Sequence, residues 1–113
     1  MSDYFDLARI AELQDAMGSE AGVIVASMLV SLTGAIEDVE AAVAAGALDR
    51  TTQAAHSARN DALMLGAGQL QRALSELELV ARAGNEAGTR AALERVREVW
   101  PATRAGLATA VEN

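Results

Sequence analysis

The chain has 113 residues, a formal net charge of −7, and a composition that is 51% hydrophobic but only 3% aromatic, which suits one domain whose core is built of alanine and aliphatic side chains. The absence of cysteine excludes disulfides, thiol catalysis and cysteine-ligated metals, and the single histidine, His56, is too few for a histidine-clustered metal site. Scattered acidic residues and an isoelectric point of about 4.5 give polyanions no electrostatic footprint, so nucleic acid is not an expected partner.

The first predicted element follows Asp3 and Asp6, either of which can cap it, and places Leu7, Ile10, Leu13 and Met17 at helical spacing before Gly18. The second carries Val25, Leu29, Leu32, Ile36, Val39 and Val43, separated alternately by four and three residues, with Gly46 as its C-terminal cap. The run from Ala21 to Leu32 is its most apolar part. Gly22, Ser27 and Ser31 interrupt it, and it falls short of the roughly 20 residues of a membrane span, so a soluble cytoplasmic protein without membrane contact is expected.

A third helix, from about Leu48 to Leu65, has a stripe of small side chains: Leu48, Thr51, Ala55, Ala58, Ala62 and Leu65. Small residues let a neighbouring helix come close. Gly66, Ala67 and Gly68 make a short connection to a fourth helix with Leu70, Leu74, Leu77 and Ala81 on one face, ending at Gly84. The fifth carries Leu93, Val96, Trp100, Thr103 and Leu107, and Pro101 is expected to kink or break it. No segment alternates as a strand would. The fold class is therefore all-α: an up-and-down antiparallel four-helix bundle with a short additional N-terminal helix, in a single domain spanning 1–113.

His56 is one position away from the apolar stripe, and one residue turns an α-helix by about 100°, so its ring belongs at the edge of the core facing solvent. Its helical neighbours, including Gln53, Arg59, Asn60 and Leu63, form a polar patch with one leucine. Periodicity alone favours a surface histidine without a role. Trp100, Met17, Met28 and Met64 read as packing residues.

The stretch Ala54-Ala55-His56-Ser57-Ala58-Arg59-Asn60, with Leu65-Gly66-Ala67 beginning nine positions after His56 and Leu70 beyond it, resembles the signature of histidine-containing phosphotransfer (HPt) domains. Asp6 to Leu13, the turns at Met17 to Glu20 and Gly46 to Asp49, and Leu77 to Gly84 are similar to the corresponding parts of that family. The resemblance implies a bacterial phosphorelay protein in which His56 accepts a phosphoryl group from a receiver aspartate, or from a sensor or hybrid histidine kinase, and passes it to a response-regulator receiver. It implies a phosphocarrier with no kinase activity of its own, no bound metal or cofactor, and Mg²⁺ in the partner receiver; the sequence itself favours a monomer.

Arg59 stands where the family has lysine, which keeps the charge and adds a bidentate donor for phosphoryl oxygens. Asn60 replaces the family glycine on the face of His56, and Ala58 replaces a leucine. Gln53 and Leu63 complete the expected phosphate- or partner-binding set. The alternative is a degenerate HPt-like bundle that binds a receiver or kinase without carrying phosphate. All nine basic residues are arginine, which with the alanine richness fits a GC-rich bacterial genome.

Overall fold

Asp6 begins the first helix, α1 (Leu7–Met17): its carboxylate accepts a hydrogen bond from the Ala8 amide at 2.9 Å, satisfying one of the amides that a helix N-terminus leaves unpaired. The structure is a computed structural model and describes residues 6–112. Asp3, the other candidate cap, is outside the described residues. A 3-10 turn at Gly18–Glu20 leads into α2 (Ala21–Ala44), followed by α3 (Leu48–Met64), α4 (Gly68–Arg82) and α5 (Glu86–Glu112). Among the described residues every element is helical.

Each stripe points inward. Val25, Leu32, Ile36 and Val39 of α2, Ala55, Ala58 and Ala62 of α3, and Leu70, Leu74 and Leu77 of α4 are buried in one cluster with Leu93, Val96 and Leu107 of α5. Periodicity selected Trp100, but Val99 is the buried residue there and Trp100 packs at the edge. α3 packs between α2 and α4, α5 packs on both α4 and α2, and α1 lies against α2.

The interruption expected at Pro101 is absent: α5 is helical on both sides of it and through it. Proline removes one helical amide and costs about 3 kcal/mol in a helix interior. Val96 and Val99 before it and Thr103 and Leu107 after it are buried, which holds both turns in register and outweighs that cost.

By length and composition the helical stretch Ala8–Ala44 is also enough to cross a membrane, with an 18-residue window of mean hydropathy 1.6 that is only 22% buried. The expectation of no such segment rested on the shorter uninterrupted run; the glycines and serines lower the average hydropathy too little to matter. A core helix of a bundle passes the same test, and one face of α2 does line the core.

The turn between α3 and α4 is a Schellman motif, with the Ala67 amide donating to the Ala62 carbonyl at 2.8 Å and the Gly66 amide to Leu63 at 3.1 Å. Gly66 has φ +71°, and a Cβ there would meet the Cβ atoms of Asp6 and Arg9 at 3.0 Å. The start of α1 clamps this turn: the Asp6 amide donates to the Gly66 carbonyl at 2.8 Å and Arg9 Nε to the Met64 carbonyl at 3.1 Å. Gly66→Ala therefore meets both the left-handed backbone and α1, and should lower unfolding stability in urea by at least the roughly 1–2 kcal/mol of the backbone term. An unchanged midpoint would show that neither constraint operates.

Candidate functional site

The spacing 53, 56, 60, 63 follows the helical repeat, and Gln53, His56, Asn60 and Leu63 all lie on the solvent side of α3. Leu63 is 58% exposed. The His56 side chain is about half exposed, while the side chain of Glu78, one helix away on α4, is almost wholly buried beside it. Glu78 reaches the site because it falls one turn after Leu74 on the inward side of α4.

Four charged or titratable groups meet here. His56 Nδ1 lies 3.0 Å from Glu78 Oε2 and 3.0 Å from Arg59 Nη2. Arg82 Nη2 donates to Glu78 Oε2 at 2.6 Å. Arg59 Nε is 3.2 Å from Glu78 Oε1, a charge contact in which the N–H is not aligned for a hydrogen bond, and this buried nitrogen has no other partner.

The two contacts of Nδ1 exclude each other, because one ring nitrogen either donates or accepts. Placing its lone pair against Glu78 would set it against a buried anion that Arg82 and the α4 backbone hold in place. Placing an N–H there makes a charge-assisted hydrogen bond, and the less buried Arg59 side chain has four further donors and room to turn. The tautomer assigned on this balance carries its proton on Nδ1 and donates it to Glu78. Nε2 then keeps its lone pair and has no protein partner among the described residues.

The remaining predicted residues, Arg59 apart, fall around this centre rather than in it. Arg59 joins the network. Asn60 is exposed and its side chain has no hydrogen-bond partner among the described residues, and Gln53 lines a shallow polar groove with Asp38, Arg50 and Ser57 on the α2 side. Glu78 and Arg82 were not among the sequence candidates. The signal was available: a glutamate inside an apolar stripe at Leu74, Leu77 and Ala81, with an arginine four residues later. No group of three or more metal-ligating carboxylates or imidazoles occurs among the described residues.

The family model of the Hpt domain matches residues 23–109. The chain belongs to the Hpt domain family. A solved structure of histidine-containing phosphotransfer protein B (HptB) from Pseudomonas aeruginosa superposes with a TM-score of 0.90 at 23% sequence identity, covering 99% of this chain and 97% of that one. At that identity the likeness is one of fold. A search of curated proteins found no match. For an Hpt domain the arrangement around His56 has a plain chemical reading: Nδ1 is held against Glu78, Nε2 has no partner among the described residues, and the guanidinium groups of Arg59 and Arg82 gather on the Nδ1 side around Glu78.

Proposed function

We propose that this chain is a cytoplasmic phosphocarrier of a bacterial two-component phosphorelay, accepting a phosphoryl group on His56 Nε2 and passing it to a response-regulator receiver. The observation that carries the reading is the 3.0 Å contact of His56 Nδ1 with buried Glu78. Nε2 attacks the phosphorus of a receiver aspartyl phosphate; the N–P bond forms as the P–O bond to the aspartate breaks, and the carboxylate leaves with the electron pair. The ring, still protonated on Nδ1, becomes a phosphorylated imidazolium whose positive charge the Glu78 carboxylate offsets. Return to a second receiver aspartate runs the same step backwards.

Arg59 and Arg82 supply donors to the phosphoryl oxygens, while Asn60, Gln53 and Leu63 border the surface a receiver covers. Mg²⁺ belongs to the receiver, and the upstream donor is a receiver or a sensor or hybrid kinase. The three short connections and the ring of packed neighbours support an up-and-down antiparallel bundle for this single domain, a rigid carrier for one imidazole. A buried carboxylate that holds Nδ1 and leaves Nε2 for attack suits a nucleophile, which supports the carrier over a docking module without phosphate.

The test is a transfer profile against phosphorylated receivers from the same genome. The expected result is an acid-labile phosphate that maps to the peptide containing His56. Stable binding of receivers with no label from any of them would support the docking module instead.

A further inference from the structure

α2 presents two faces, and only one of them is used by the bundle. From Ala21 to Ile36 it carries no charged residue, although Val23 and Val30 are 72% and 73% exposed. Beside them a groove of about 640 Å³ runs along the seam with α5, lined by Ala26, Leu29, Val30, Gly34, Glu37 and Arg104 among others. It continues past Arg104 toward Trp100 and Arg97. An outward apolar face of this length on a chain of net charge −7 is the kind of surface that covers itself by association.

We propose that the occupant of the α2/α5 seam is a second copy of this chain, docked about a two-fold axis near Gly34. A two-fold contact needs one patch that is complementary to itself. This patch carries both members of a charge pair: Glu37 and Arg104 line the same groove, and neither has an ion pair among the described residues. In the dimer each guanidinium of Arg104 meets the other copy's Glu37. A Cβ on Gly34 would meet nothing within 4 Å, so the helix surface is flat there and two α2 helices can cross closely, with Val30 of each seated in the groove of the other.

Net repulsion between two acidic chains is small across this face, because it is uncharged from Ala21 to Ile36 and more distant charges are screened beyond about 8 Å at physiological salt. The same acidity disfavours an anionic lipid surface as the occupant. α3 and α4, which carry His56 and Glu78, lie on the other side of the ring, so the dimer leaves both transfer sites open. The contact is small, one crossing of helices, and the dimer is accordingly weak. A monomer is the expectation from sequence; the proposed dimer departs from it on the strength of the neutral outer face of α2.

Sedimentation equilibrium of the full chain over a wide concentration range tests the proposal. The apparent mass should rise toward twice 11.7 kDa. Val30→Glu should abolish the rise, and Glu37→Arg or Arg104→Glu alone should weaken association by about tenfold, while the double exchange restores it. All these positions are on the surface, and unchanged helical circular dichroism confirms folding. A chain that stays monomeric at the highest concentration, or a dimer indifferent to Val30→Glu and to the charge exchange, overturns the proposal. So does co-sedimentation with phosphatidylcholine or phosphatidylglycerol vesicles that Val30→Glu abolishes, which would assign the face to lipid.

Discussion

Replacing Glu78 with glutamine is expected to slow phosphoryl transfer to and from His56 by about 10–100-fold, the loss typical when the partner that orients a working imidazole is changed. The amide can accept from Nδ1–H through its oxygen or donate to a bare Nδ1 through its nitrogen, so the ring is no longer confined to one tautomer. The negative charge that offsets the phosphorylated imidazolium is also lost. His56→Gln removes the nucleophile and should abolish labelling altogether. A purely structural role for Glu78 would leave the tautomer untouched, so imidazole ¹⁵N chemical shifts decide the matter. The wild-type ring should be protonated on Nδ1, and the variant should show a mixture. Transfer at the wild-type rate from a ring still protonated on Nδ1 would take Glu78 out of the mechanism.

Ala58→Leu, which puts back the residue more usual in the family at that position, should destabilise this protein by about 1–3 kcal/mol, the cost of overpacking a filled core. Ala55, Ala58 and Ala62 are all 0% exposed, so at these three positions α3 offers only methyl groups to the larger side chains of α2 and α4. An added isobutyl group must push α3 off α2 or α4. The 3.0 Å reach from His56 to Glu78 spans two helices, so the same substitution should slow transfer as well as lower the urea midpoint. Full stability and an unaltered transfer rate would mean that the alanine stripe does not set the helix spacing.

The helices were legible in the sequence because their apolar residues recur every three and four positions, and burial enforces that spacing. His56 was legible because it is the only imidazole and because Leu65-Gly66-Ala67 follows it in register. What the sequence hid depended on tertiary contact. Glu78 is 22 residues from His56; its place in an apolar stripe marks it as unusual, but only the packing of α3 on α4 shows which residue it partners. Val99 and Trp100 were exchanged because a few degrees of helix rotation decide which of two adjacent side chains turns inward. Pro101 was read from its local cost alone, whereas the buried side chains on both sides of it hold the helix together.

Around His56, two guanidinium groups stand against one carboxylate, and the chain has no lysine anywhere. Guanidinium does not lose its proton under any condition a cell survives. Both cations at the site are guanidinium groups, so acetylation of a lysine amine has no residue here to act on. Tuning of these cations is left to modification of arginine itself, such as methylation, which keeps the charge but blocks a bidentate hydrogen bond.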